Sequence, residues 1–214
     1  MKLKRKSASY LQKLKKNLDN PYVALETGLR VKAYKHHPYK NPVIGWSEDI
    51  EKITTEDLQA HYEKYYIPNN ATIVVVGNFD QAKTLELIKK YFNDIPPGKP
   101  IENIKLDKPQ KCLRRAIVRK PGSLPLVKMA YHIPPAAHED IYPLTVLGEM
   151  LNIGLSGRLN QSLVETEIAT DVSINVEASK DPGLFSIGAT LFPNTKHKEA
   201  EDIILNELAA LNDG

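Results

Sequence analysis

An α+β fold, with antiparallel sheet layered against helices, is what this sequence predicts, and three observations carry that expectation. Asp171 to Ala178 alternates Val172, Ile174 and Val176 with Ser173, Asn175 and Glu177, the period of a half-buried strand. Asp181-Pro182-Gly183 then turns the chain into a second apolar run, Leu184 to Leu191, as a hairpin requires. Around these lie segments whose apolar residues recur at helical spacing, so hairpins backed by helices give two layers.

In chain order, Leu11, Leu14 and Leu18 mark a basic amphipathic helix that ends near Asp19. Asn20-Pro21 starts the next, with Asp19 or Asn20 as its cap and Tyr22, Leu25, Leu29 and Ala33 as its apolar side, to about Tyr34. Residues 35 to 46 hold two prolines and a glycine and read as an ordered loop anchored by Trp46; a short helix follows from Ser47. Thr54-Thr55-Glu56-Asp57 is a helix start, with a hydroxyl for an early backbone N–H and acids at the positive end of the dipole. Leu58, Tyr62, Tyr65 and Tyr66 continue that helix to Pro68. Asn69 and Asn70 should tie the turn through side-chain to backbone bonds, and the β-branched run Ala71 to Val76 suits a central strand ending at Gly77. A further helix begins near Asp80 and carries Leu85, Leu87, Ile88, Tyr91 and Phe92.

Six prolines between Ile95 and Pro125 mark an interdomain linker, so residues 1–106 and 107–214 are expected as separate parts. The later part reads as strands Arg114 to Arg119 and Leu126 to His132 joined by Pro121-Gly122. Helices Ile141 to Ile153 and Gly157 to Glu167 follow, then the hairpin, then a closing helix Ala200 to Leu211.

Composition narrows the function classes. With 214 residues and 42% hydrophobic content the chain is globular, and no apolar run reaches the roughly 18 residues of a membrane span. No hydrophobic segment follows the basic N-terminus as a secretory signal would require, so a soluble protein, cytoplasmic or periplasmic, is expected. The single Cys112 excludes an internal disulfide. The net charge of +3 gathers at Met1 to Leu18 and Lys105 to Lys120, without the interleaved aromatics or glycines of a nucleic-acid surface; solvated helix and linker account for both stretches.

None of the six histidines belongs to a His-x-x-Glu-His or His-Glu-x-x-His segment. His36 and His37 are adjacent, so their side chains diverge and do not chelate as an i, i+4 pair would. His132 and His138 flank Pro134-Pro135 in a surface loop beside Glu139 and Asp140; His61 and His197 sit among charges on helices.

Several short motifs follow one another along the chain. They are Asp19-Asn20-Pro21; His37-Pro38-Tyr39 with Pro42-Val43-Ile44-Gly45-Trp46; Ile53-Thr54 with Asp57-Leu58; and Pro68-Asn69-Asn70-Ala71 through Val76-Gly77. Tyr91-Phe92 with Ile95-Pro96, Leu155-Ser156-Gly157-Arg158-Leu159 and Asp181-Pro182-Gly183-Leu184-Phe185 follow. Together they resemble the pitrilysin/insulinase family of zinc metallopeptidases, including the mitochondrial processing peptidase type, over nearly the whole chain.

The resemblance implies a metallohydrolase fold of paired α/β units around a chamber, here with one partial unit and one nearly complete one. Zinc in such enzymes is held by two histidines of the His-x-x-Glu-His helix and a downstream glutamate, leaving a position for the water it acidifies. By resemblance the first motif would lie before Met1, and the third ligand in the helix ahead of Asp19, which offers only Arg5, Lys6, Ser7 and Gln12. The arginine and tyrosine that hold substrate would lie beyond Gly214. The chain is therefore expected to be a non-catalytic central part, its second half belonging to the inactive domain, with zinc in the complete enzyme but no cofactor of its own. Its abrupt start within the pattern is expected of part of a longer protein or of a split gene.

The expected partners are the remaining domains or a catalytic subunit of the same family, a peptide or unfolded polypeptide substrate in the complete enzyme, and a second copy covering an exposed sheet edge. Nucleic acid and membrane are not among them. The alternative is a free-standing scaffold paired with a catalytic relative. The resemblance also places a glycine-containing substrate loop at Gly148 to Arg158, which makes Gly154, Ser156, Gly157 and Arg158 the candidate substrate contacts; a helix-to-helix turn with Arg158 in an ion pair is the structural alternative.

Overall fold

Asn20 and Pro21 open the helix Pro21–Ala33 of the computed structural model, which describes Tyr10, residues 19–122 and residues 124–211. The basic helix expected at the N-terminus, with Arg5, Lys6, Ser7 and Gln12, lies outside the described residues. The described residues fall into two compact units, one of Tyr10 and residues 45–105 and the other of residues 19–44, 106–122 and 124–211.

In the unit of residues 45–105, helix α2 (Ser47–Lys52) is followed by α3 (Thr55–Tyr65) and α4 (Gln81–Phe92). A reciprocal capping box starts α3: Thr54 Oγ1 accepts from the Asp57 N–H at 3.1 Å, and the Asp57 carboxylate accepts from the Thr54 N–H at 2.9 Å. Asp80 caps α4 by accepting from the Lys83 N–H. After a single 3₁₀ turn, Asn70 donates to the Tyr65 carbonyl, while Asn69 exchanges two hydrogen bonds with the backbone of Gly98. Ile67, against Gly98, is the buried side chain of this unit.

The structure departs from the sequence expectation at Ala71 to Val76, which forms no strand. Ile73, Val74, Val75 and Val76 are 43–89% exposed. A strand exists only as one member of a hydrogen-bonded pair, and among the described residues this run has no neighbour to pair with. Arg114 to Arg119 departs likewise: it forms no strand, and the Arg114 guanidinium donates to the Lys32 and Ala33 carbonyls.

The other unit is built on a three-stranded antiparallel sheet in the order β1 (Leu126–Ile133), β3 (Gly183–Leu191), β2 (Ala169–Val176). Met129 lies opposite Ile187, and Ile174 lies opposite the same residue from the other side. One face carries Val172, Phe185, Ile187, Ala189 and Leu191 into a core completed by Leu151, Leu159, Leu163, Ala200 and Ile204. These come from α5 (Ile141–Asn152), the helical segment after Gly157 and α6 (His197–Ala210). Helix α1 (Pro21–Ala33), capped by Asn20, packs against β1. With both faces of the central strand covered, all nine residues of β3 are buried.

Charge fastens α1 to the sheet. Arg30 donates to Glu26 at 2.7 Å and to Glu177 of the loop after β2 at 2.6 Å, and Lys128 of β1 lies 2.5 Å from the other Glu26 oxygen. Burial alone would lift the Glu26 carboxyl, but Lys128 and Arg30 outweigh it and hold its pKa below the ordinary glutamate value. At the end of α1, Tyr34 is buried and donates to the Pro182 carbonyl at 3.1 Å. Desolvation, reinforced by the Glu177 charge, raises its pKa.

Candidate functional site

Helix α5 ends where the apolar pattern meets Gly154. A 3₁₀ turn, Gly154–Ser156, links it to the next helical segment, whose middle, Asn160–Val164, widens into a π-turn. Gly154 has φ +46°, a conformation that favours glycine, and faces open space. At Gly157 a Cβ would lie 2.7 Å from the Ile153 nitrogen and 2.8 Å from the Asn152 carbonyl carbon, so only glycine fits so close to the preceding backbone. The Gly157 N–H donates to the Ile153 carbonyl at 2.8 Å, Ser156 Oγ donates to the same carbonyl at 3.2 Å, and Asn160 donates to the Gly154 carbonyl.

The four predicted contact residues therefore share one turn, in different settings. Gly154 and Ser156 are exposed, Gly157 is buried, and Arg158 is half-buried with its Nε 3.0 Å from Glu207 of α6. The ion pair considered for Arg158 is thus present. Leu155, at the apex, is 77% exposed. Tyr142, Val146 and Met150, spaced i, i+4 and i+8 along α5, extend this apolar surface together with Ile153, and all four are exposed. This stripe escaped the sequence reading, although α5 is apolar on more sides than its contact with β2 requires; Gly148 marks the inner side, where a Cβ would meet Val176 and Ile174.

The histidines are placed separately. His37 is buried: its Nδ1 accepts from the Tyr39 N–H at 3.3 Å, its Nε2 lies 3.3 Å from Asp181, and its ring packs against Tyr39. His132 stacks edge-on against Tyr34, His61 lies against Tyr65, and His138 pairs with Asp140 at 3.5 Å. Cys112 is exposed. Among the described residues no three His, Cys, Asp or Glu are placed to hold a metal ion, so these residues do not fit a zinc site. Nor, among them, is any helix long and apolar enough to cross a membrane.

The model of the peptidase M16 inactive domain matches residues 52–214. The zinc protease PqqE of Helicobacter pylori is 32% identical over 187 residues, which cover 85% of this chain and 42% of that protein. A solved protease from Helicobacter pylori superimposes with a TM-score of 0.89 at 27% identity, over 99% of this chain and 52% of that one. A peptidase M16 inactive domain from Pseudomonas fluorescens shares the fold, with a TM-score of 0.81 at 19% identity over 97% of this chain and 52% of its own. The chain thus spans about half the length of the relatives it matches. The sequence resemblance and the α+β fold it implied both hold, and the chain belongs to the peptidase M16 inactive-domain family.

Proposed function

We propose that this chain is the non-catalytic central part of a zinc-dependent peptidase, forming chamber wall and substrate contacts for the cleavage of peptides or unfolded polypeptides. The observation that carries the reading is the inactive-domain match over residues 52–214. In this arrangement residues 1–106 belong to the end of a first peptidase-like half and residues 107–214 form the first α/β unit of a second. Zinc belongs to the catalytic part, which is supplied by further domains or by a catalytic subunit of the same family.

The turn with Gly154, Ser156, Gly157 and Arg158 is the surface of this chain offered to substrate. Its exposed Leu155 and the apolar stripe of α5 support that role, because unfolded chains present apolar side chains that a folded substrate hides. The test is made in the complete enzyme from its natural source. Leu155→Asp should lower kcat/KM for a long unfolded substrate by about tenfold through KM, and leave kcat for a short peptide unchanged. Equal kinetics for both substrates in the variant and the parent would refute the assignment of this turn.

A further inference from the structure

A cavity of about 740 Å³, a volume within the usual range of ligand sites, lies beside residues 106–113. Leu106, Pro109 and Leu113 of that segment line it together with Ala130 of β1 and Pro182, all of them apolar. Leu106 is 52% exposed and Leu113 73%, so aliphatic surface is left uncovered there. Covering it with an apolar ligand is favourable in proportion to the area removed from water.

The polar side chains of the lining divide into two sets. Tyr34 donates to the Pro182 carbonyl at 3.1 Å, and the ring nitrogens of His37 lie 3.3 Å from the Tyr39 N–H and 3.3 Å from the Asp181 carboxylate. The Asp107 carboxylate accepts from the Lys35, His36 and His37 N–H groups at 2.8, 2.9 and 3.4 Å. These groups are engaged without a ligand. Lys108 and Lys111 form the other set: both are exposed, and among the described residues neither is in an ion pair. Asp107 is the one carboxylate of the lining, so two ammonium groups face a single acid that three backbone donors already hold.

We infer that this cavity binds a free fatty acid, an amphipathic monoanion whose alkyl chain covers Leu106, Pro109 and Leu113 and whose carboxylate pairs with Lys108 or Lys111. The lining selects an aliphatic body over an aromatic one. Tyr34 is 3% exposed and meets Tyr39 and His132 edge-on, so its ring has no face open to a planar ligand, whereas leucine and proline offer aliphatic surface. Lysine selects the head group, because its stem lies along apolar surface while its ammonium reaches a carboxylate in water. The site stands whether or not the peptidase reading holds.

Cys112, the single cysteine of the chain, is exposed and lines the same cavity, which gives occupancy a direct readout. The experiment follows alkylation of Cys112 by iodoacetamide in the full chain, with dodecanoate below its micelle-forming concentration. Saturating dodecanoate should slow alkylation by about tenfold or more, and dodecyltrimethylammonium, with the same alkyl chain and the opposite charge, should leave it unchanged. Lys108→Glu with Lys111→Glu should raise the Kd for dodecanoate by about tenfold, read from the concentration dependence of protection, and so should Leu113→Asp. These side chains are exposed, so each variant should keep the circular dichroism spectrum of the parent. Unchanged or faster alkylation, equal protection by the two amphiphiles, or an unchanged Kd in the lysine variant would overturn the inference. Protection by phosphatidylglycerol vesicles but not by free dodecanoate would overturn it by assigning the cavity to a membrane surface. Protection by reduced, carboxymethylated casein alone would do so by assigning it to unfolded polypeptide.

Discussion

Glu26 of α1 ties its helix to β1 through one carboxylate, shared between Arg30 of the same helix and Lys128 of the strand. Its side chain is 33% exposed, so Glu26→Gln should cost about 1–2 kcal/mol, less than breaking a fully buried pair. The sign with pH follows from the depressed pKa. The carboxylate contributes its full stability above the unfolded-state value of a glutamate, and that contribution is lost as pH falls through the lower folded-state value. Denaturant midpoints between pH 7 and pH 3 should therefore fall less steeply for Glu26→Gln than for the parent. The two glycines of the turn differ in kind. Gly157→Ala forces a Cβ onto rigid backbone and should cost about 1–3 kcal/mol, whereas Gly154→Ala meets only the left-handed backbone and should cost about 1 kcal/mol, both measured by thermal unfolding.

Helix starts were legible in the sequence because their chemistry is local. Asn20 with Pro21, Thr54 with Asp57, and Asp80 each cap a helix as their residue types require. The alternation from Val172 to Val176 was legible for the same reason, since one covered face is written into every second residue. Ala71 to Val76 and Arg114 to Arg119 were not, because β-branched composition reports a preference and pairing depends on a second strand. The π-turn at Asn160–Val164 and the register shift between Ala169 and Asp171 had no local signal either. In the candidate turn, the glycines and the Arg158 ion pair were readable from residue types. Its exposed apolar flank was not, because exposure is decided by what packs elsewhere. The contrast between strands gives a direct check by thermal unfolding. Ile187→Ala in fully buried β3 should cost about 2–5 kcal/mol, whereas Val74→Lys in the exposed run should change stability by less than about 0.5 kcal/mol.

Taken as a molecule, the chain concentrates its core in one unit. Leu151, Leu159, Leu163, Ile187, Leu191 and Ile204 are fully buried there, while residues 45–105 bury Ile67 and expose most of their aromatic and β-branched side chains. Amides of α3 and α4 should accordingly exchange much faster than those of β3, the order expected when local stability follows buried apolar contact. This uneven core fits a chain that spans about half the length of its relatives and belongs to the inactive-domain family.

The most direct test of the non-catalytic role is to measure zinc content and hydrolysis of unfolded polypeptide on the same purified sample of this chain. A non-catalytic chain should carry less than stoichiometric zinc and show no cleavage above buffer, with cleavage appearing only when a catalytic family member is added. One zinc per chain, together with cleavage that a chelator abolishes, would contradict it.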